Sequence, residues 1–291
     1  RSIWVTGVQT CALPICGRLP KELPILQSAC RIFREGFKLK AGDKQFLEPN
    51  GIIADSNFFS FFGFKLIKGS INNVLNTPDR IVLTEKLATR YFGNEDPIGK
   101  TMLVDGERTF TVSGVAADCL VNSHIQYELI MPVAFLKKRA MDMYQFNIDD
   151  SWVGGWPGTY VKLKDAAQVN EAEKQINQVV ARFSEKEWKQ NKMSYYYFLQ
   201  PLKNIHLQSN LRYDARNNGS MARVKIFSIV AIIVLVLACI NYVNLTTAGA
   251  IKRAKETSVR KVVGATKWQL VRQYFTETLL ICLYGDRKSV V

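Results

Sequence analysis

The sequence predicts an α+β domain, two-lobed and extracytoplasmic, followed by one transmembrane α-helix and part of a second one. Three observations support this prediction. Short β-rich runs alternate with amphipathic helical segments over residues 19–222, which is typical of an α+β fold. No charged residue occurs between Lys225 and Lys252. Basic residues then crowd the stretch that ends at Arg272.

A strand that leads directly into a helix is the clearest element of the first domain. Arg80–Leu83 is a short apolar run and predicts a strand. Thr84 stands where a side-chain hydroxyl caps a helix. The apolar residues of Glu85–Phe92 share one helical face, so this segment is expected to be the helix that Thr84 caps.

A β-hairpin is predicted next. Thr101–Val104 and Glu107–Val112 are β-rich runs separated by Asp105 and Gly106, and a tight hairpin turn needs residues that accept positive φ at both central positions. The preceding stretch, Gly93–Thr101, looks like a phosphate-binding loop, but it has five residues between its glycines where that motif has four. Since a helix precedes it and a hairpin follows, we expect no nucleotide site there.

Three further segments complete the domain. Tyr160–Leu163 and Tyr195–Leu202 predict strands, and Ala166–Phe183 predicts a helix because its apolar residues recur with helical spacing. Five phenylalanines crowd Ile52–Phe64. At this density aromatic side chains indicate a core or a subdomain contact rather than a ligand cage.

The uncharged stretch predicts a transmembrane helix over 223–251. A helix needs roughly 20 apolar residues to cross the hydrocarbon core of a bilayer. A buried helix of a soluble enzyme is the alternative, but such helices rarely run this far without a charge. Lys252, Arg253 and Lys255 follow the stretch, and positive charge beside a span marks its cytoplasmic side. The large domain is therefore expected outside the cytoplasm.

A basic elbow is predicted for 252–268, and the start of another transmembrane helix for 269–284. Gly264 is suited to end the first helix because glycine accepts the left-handed conformation. Thr266 and Gln269 have the spacing of a capping box, which begins a second helix. That helix becomes apolar towards Leu283, so the chain is expected to return to the membrane.

Composition argues against several classes of function. The formal net charge is +14, but basic residues crowd the stretch just after the span, so a nucleic-acid partner is not expected. With His124 and His206 as the two histidines, the sequence offers no zinc cluster and no catalytic set, and no metal or other cofactor is expected. Cys30 and Cys119 either form a disulfide or remain unpaired thiols, and unpaired thiols are favoured.

Both ends of the chain are expected to be non-native. Residues 1–16 and 285–291 resemble translated sequencing-adapter read-through. We therefore expect a leader over 1–18 and a tail over 285–291 that take no part in the native fold. The chain also begins with Arg1 rather than Met, as expected of a piece of a longer protein.

The basic elbow carries a pattern that resembles a known family. Lys255-Glu-Thr-Ser-Val-Arg-Lys-Val-Val-Gly-Ala265 is similar to the cytoplasmic segment of FtsX-like/MacB-type ABC transporter permeases. Three upstream segments, which begin at Pro78, Tyr91 and Pro201, resemble the MacB-like periplasmic core domain of the same family. The resemblance covers roughly residues 20–283, which is the chain without its two ends.

The resemblance implies a permease subunit of an ABC transporter in the inner membrane, with a periplasmic domain. Such a permease is not an enzyme. A partner ABC ATPase presses on the elbow, and the membrane helices pass that motion to the periplasmic domain for export or efflux, which is called mechanotransmission. A second permease protomer and membrane lipid are the other implied partners. The residues that match the family pattern are the expected ATPase-contact site: Lys255, Glu256, Val259, Arg260, Lys261, Gly264 and Ala265.

Two alternatives remain beside this interpretation. A membrane-anchored extracytoplasmic sensor or ligand-binding domain would have a cytoplasmic linker of heptads, whereas this chain turns back after Gly264. An extracytoplasmic enzyme would need a catalytic constellation, and none stands out. A simpler role for two elbow residues is also predicted: Glu256 and Arg260 are four apart and are expected to pair on the helix surface.

Overall fold

The computed structural model describes residues 3–6, 19–121, 123–149, 158–192, 196–202, 205 and 221–288. The chain divides into two compact units, residues 1–220 and 221–291. We call the first the sheet domain and the second the helical unit.

The described part of the sheet domain consists of twelve strands and intervening helices. The strands are β1 (Ile3–Thr6), β2 (Leu26–Arg34), β3 (Phe37–Ala41), β4 (Lys44–Glu48), β5 (Gly51–Ala54), β6 (Leu66–Lys68), β7 (Arg80–Thr84), β8 (Thr101–Val104), β9 (Arg108–Ala116), β10 (Leu129–Pro132), β11 (Gly158–Leu163) and β12 (Leu199–Pro201). The helices are α1 (Phe58–Phe62), α2 (Glu85–Phe92), α3 (Val133–Tyr144) and α4 (Val169–Asn191).

All these strands belong to one mixed sheet. Their order is β12-β1-β11-β2-β5-β10-β7-β9-β8-β3-β4, and β6 pairs with the end of β9. The pairs β5–β10 and β7–β9 are parallel, and the other pairs are antiparallel. The predicted α+β class is confirmed, because one mixed sheet is combined with helices packed against it.

The strand and cap predictions are confirmed, and the predicted hairpin is present with a longer loop. The Thr84 hydroxyl accepts a hydrogen bond from the Leu87 N–H at 3.4 Å, so it caps α2 as expected. Asp105 and Gly106 both have positive φ, 52° and 76°. Val104 pairs with Arg108, so the hairpin loop contains three residues, one more than predicted.

Other boundaries differ from the sequence prediction. The helix predicted over Ala166–Phe183 begins as a 3₁₀ turn and continues as α4 to Asn191. The strand predicted over Tyr195–Leu202 is regular only over Leu199–Pro201, and residues 193–195 lie outside the described part.

Strand β1 lies within the segment that we expected to be a non-native leader. It pairs antiparallel with both β11 and β12, so the sheet takes in residues 3–6. The non-native origin of residues 1–18 stays a prediction.

Two apolar clusters lie on one face of the continuous sheet, within one compact unit, and the division into two lobes stays a prediction. Alternate residues of a strand point to opposite faces. On β2, Ala29 belongs to the cluster formed with α4, and Phe33 belongs to the cluster formed with α2 and α3. Arg31 lies between them on the same strand face and is 5% exposed. A third cluster, which contains Cys30 and Ile32, fills the opposite face.

The aromatic-rich segment is core, as predicted. Phe58, Phe59 and Phe61 of α1 are buried in the third cluster, and Phe62 and Phe64 pack against it. The Phe58 ring makes edge contacts with its neighbours at centroid distances of 5.3–5.6 Å, the geometry that aromatic pairs prefer.

The helical unit contains α5 (Met221–Val262) and α6 (Lys267–Lys288). Within the described residues one helical segment, Met221–Gly249, is long and apolar enough to cross a membrane, and none of its most apolar part is buried in protein. The predicted helix over 223–251 is therefore present as a continuous helix. Membrane re-entry by α6 stays a prediction.

Candidate functional site

The elbow, residues 252–268, contains the four-residue turn Val263–Thr266, which joins α5 and α6 into a helical hairpin. Gly264 has a φ of +99°, and its N–H donates to the Lys261 carbonyl at 3.1 Å. The Ala265 N–H donates to the Arg260 carbonyl at 3.0 Å, which completes a Schellman-type helix end. The predicted stop at Gly264 is confirmed, since this backbone conformation favours glycine.

The predicted capping box begins α6. The Thr266 N–H donates to Gln269 Oε1 at 2.9 Å, and the Gln269 N–H donates to Thr266 Oγ1 at 3.4 Å. These reciprocal bonds satisfy backbone donors that the first turn of a helix leaves unpaired. Local hydrogen bonds therefore stabilise the turn on both sides, and the residues that form them can be recognised in the sequence.

Polar side chains join the two helices across the hairpin. The hydroxyls of Thr257 and Tyr274 lie 2.8 Å apart, and Arg260 Nη1 donates to Gln273 Oε1 at 2.6 Å. Leu270, in the first turn of α6, is buried and only 7% exposed. Local sequence does not single out Gln273 or Tyr274 as cross-helix contacts, because the partners of a surface polar residue depend on which helix faces it.

The residues that match the family pattern lie along the last turns of α5 and the turn that follows. Lys255, Val259, Arg260 and Lys261 are exposed. The Glu256 side chain lies outside the described residues, so its pairing with Arg260 stays a prediction. The structure brings Arg260, Lys261, Gly264 and Ala265 together through the backbone bonds of the turn.

The bonds between the two helices lie beyond the uncharged stretch, which ends before Lys252. Thr257 lies opposite Tyr274, and Arg260 lies opposite Gln273. These two contacts place residues 273–274 of α6 beside residues 257–260 of α5. From Lys252 to Gly264 the hairpin extends about 18 Å.

The tip of this hairpin combines exposed apolar and basic side chains. Val262, Val263 and Trp268 are each more than four-fifths exposed. The exposed basic residues around them include Lys261 and Lys267. Large apolar side chains grouped at an exposed tip are typical of a surface that binds another molecule.

The other candidate sites of the sheet domain are weaker. The phosphate-loop-like segment follows α2 and enters β8, as predicted, so no helix N-terminus faces the adjoining 600 Å³ surface cavity. Cys30 and Cys119 are unpaired, and burial raises the pKa of both thiols. No group of three or more potential metal ligands occurs within the described ranges. His206 lies outside them.

Two family descriptions match the chain. Residues 15–179 match the MacB-like periplasmic core domain, and residues 228–285 match the FtsX-like permease C-terminal region. The first covers more than half of the chain and coincides with most of the sheet domain. The second covers most of α5, the elbow and most of α6.

Curated relatives include macrolide export ATP-binding/permease proteins named MacB. The one from Aggregatibacter actinomycetemcomitans is 24% identical over 257 residues, covering 87% of this chain and 36% of the relative. The one from Neisseria gonorrhoeae is 25% identical over 240 residues, covering 80% of this chain and 33% of the relative. The chain thus spans about a third of the length of these relatives.

Two solved structures share the fold. A domain of a permease-type protein from Porphyromonas gingivalis aligns with a TM-score of 0.57 and 22% identity, over 69% of this chain and 89% of that one. The periplasmic region of MacB from Actinobacillus actinomycetemcomitans aligns with a TM-score of 0.50 and 19% identity, over 70% of this chain and 90% of that one.

Proposed function

Because this chain belongs to the MacB-like periplasmic core domain family and continues into an FtsX-like permease segment, we propose that it is the permease subunit of an ABC transporter that a partner ATPase drives for export or efflux. The family is a class of transporter permease and not of catalytic enzymes. In this proposal the segment Met221–Gly249 crosses the inner membrane and the sheet domain is periplasmic.

The continuity of α5 is the observation that carries the proposal. This helix has 42 residues and is about 63 Å long, about twice the hydrocarbon thickness of a bilayer. A helix keeps its backbone hydrogen bonds within itself, so it can cross lipid and still extend into water as one rod. A displacement applied to the elbow would therefore be carried through the membrane by the same helix.

The proposed ATPase-contact site consists of the residues that match the family pattern: Lys255, Glu256, Val259, Arg260, Lys261, Gly264 and Ala265. Its exposed basic side chains suit a partner groove with an acidic rim, because complementary charge steers association and fixes orientation. The exposed Trp268 next to the turn extends this site and suits an apolar floor in the same groove.

The remaining parts of the proposal concern organisation. The domain boundaries are 19–222 for the periplasmic core, 223–251 for the span, 252–268 for the elbow and 269–284 for the next membrane helix. A second permease protomer and membrane lipid complete the assembly. The sensor alternative predicts a linker that continues away from the membrane, and the hairpin of α5 and α6 counts against it.

The proposal is tested with the full-length protein in lipid vesicles together with its ABC ATPase. We expect the two to co-purify and the permease to stimulate ATP hydrolysis. Arg260→Glu should abolish this stimulation by reversing the charge of the contact site. Gly264→Pro should do the same, because proline fixes a negative φ and removes the N–H bonded to Lys261. Both variants should still insert into the membrane.

Lys186→Glu serves as the matched control, since it reverses an exposed charge on α4 of the sheet domain. It should co-purify with the ATPase and stimulate hydrolysis as the wild type does. Wild-type stimulation in both elbow variants would remove the elbow from the mechanism. Labelling that finds the elbow on the same side of the membrane as the sheet domain would refute the topology.

A further inference from the structure

The elbow has little apolar packing to hold its two helices together. Among the described side chains of the helical unit, Leu270 is the only buried apolar one. Polar contacts also join the two helices, among them the hydroxyl pair of Thr257 and Tyr274 and the bond from Arg260 to Gln273. Antiparallel helices in proteins are normally held by a continuous apolar stripe, so polar contacts must contribute more than usual here.

We propose that Thr257, Gln273 and Tyr274 are positioning residues that clamp α5 and α6 into one rigid body. This inference rests on the proposed function, in which an ATPase displaces the elbow. If the helices moved independently, displacement at the tip would be absorbed by rotation about the turn at Gly264. With the clamp closed, α5 and α6 move together and the displacement reaches both membrane helices.

The clamp also assigns Arg260 a second role. A guanidinium has five N–H donors in a rigid plane, so the bond to Gln273 fixes the orientation of that plane. Arg260 is exposed, and the bond to Gln273 on α6 therefore helps to orient its guanidinium relative to the partner. Loss of Gln273 would leave the charge of the contact site unchanged but would allow the Arg260 guanidinium to take other orientations.

Two substitutions test the clamp with a close control. Thr257→Val and Tyr274→Phe each remove one hydroxyl of the cross-helix pair. Thr276→Val is the control, because the Thr276 hydroxyl bonds the Arg272 carbonyl of its own helix at 2.7 Å and does not cross the hairpin. All are made in the full-length protein in lipid vesicles with its ATPase.

Amide hydrogen exchange of residues 257–274 measures the clamp without reference to the ATPase. We expect Thr257→Val and Tyr274→Phe to raise the exchange rates there by at least about twofold, since exchange follows local opening. The double variant should be no worse than either single one, because both remove the same contact. Thr276→Val should exchange as the wild type does. Wild-type exchange rates in both clamp variants would overturn the proposal.

ATP hydrolysis gives the second measurement. The clamp variants should co-purify with the ATPase as the wild type does but stimulate hydrolysis less than Thr276→Val does. Faster exchange with wild-type stimulation would show that the clamp has a purely structural role, and the positioning proposal would be wrong. If the wild type itself neither binds nor stimulates the ATPase, the proposed function and the positioning role are both wrong. The amide exchange rates would still show whether the Thr257–Tyr274 contact holds the two helices together.

Discussion

Replacing Arg31 with methionine tests the account of how two apolar clusters share one face of the sheet. Arg31 stands on β2 between two apolar clusters. Its Nη2 bonds Asp55 Oδ1 at 2.7 Å, its Nε bonds Asp55 Oδ2 at 3.0 Å, and its Nη1 bonds Asp149 Oδ1 at 3.2 Å. Methionine keeps much of the volume and removes the charge.

The expected cost follows from what the substitution leaves behind. The Asp55 side chain is 20% exposed and that of Asp149 is 36% exposed, so both carboxylates can recover some hydration. Asp55 also keeps the bond from the backbone N–H of residue 31. Removing one partner of a buried ion pair costs about 3–5 kcal/mol, and the partial exposure places this case near 3. That is a large share of a typical total stability of about 5–15 kcal/mol.

The assay is pulse proteolysis of the detergent-solubilised chain across a urea gradient, which reports the fraction of the sheet domain that is folded. With a slope of about 2–3 kcal/mol per molar urea, the midpoint should fall by about 1 M or more. Arg34→Met is the matched control. Arg34 lies on the same strand but is exposed and donates to carbonyl oxygens, so its loss should cost about 1 kcal/mol. Equal midpoints for the two variants would refute the role assigned to Arg31.

Three further predictions use the same chain. Phe58→Ala should destabilise the sheet domain by about 3–5 kcal/mol, because it leaves a cavity at a buried aromatic site. Phe46→Ala, at a residue 45% exposed, should cost about 1 kcal/mol. Urea midpoints distinguish the two variants, and equal shifts would contradict the assignment of Phe58 to the core. Gly264→Ala should add about 1–3 kcal/mol of backbone strain at φ +99°, seen as faster amide exchange in the turn, and unchanged exchange would contradict it. Burial acts to raise the pKa of the Asp149 carboxyl, but the neighbouring cations, Lys137 first, outweigh it, and the net pKa lies below its ordinary value of 3.8. The charged Asp149 carboxylate therefore stabilises the fold fully above about pH 4, and this stabilisation is lost as pH falls further. Asp149→Asn should reduce the acid sensitivity of the urea midpoint, and an unchanged sensitivity would show that the carboxylate does not contribute.

The local predictions succeeded where a few neighbouring residues determine the structure. The Thr84 cap, the positive φ of Asp105 and Gly106, the stop at Gly264 and the capping box at Thr266 each depend on chemistry within about four residues. The uncharged stretch was equally clear, since a long run without charges has few interpretations.

The longer-range features were not predictable from local pattern. Strands β2 and β5 were not predicted, because both are largely buried on both faces and lack the alternation of a half-exposed strand. Helix α3 was not predicted either, because its apolar residues lack a helical period. Its buried residues, Val133, Phe135 and Ala140, do not form a regular apolar stripe.

The sequence by itself determined the α+β class, the apolar span, the position of the elbow and the residues that match the family pattern, because composition, caps and turns act over short distances along the chain. Only the tertiary structure decided that two apolar clusters share one face of a single sheet, that Arg31 lies between them and that Gln273 and Tyr274 contact α5 across the elbow. These are contacts between residues far apart or on facing helices, and their formation depends on how the elements pack, which no single stretch of sequence specifies.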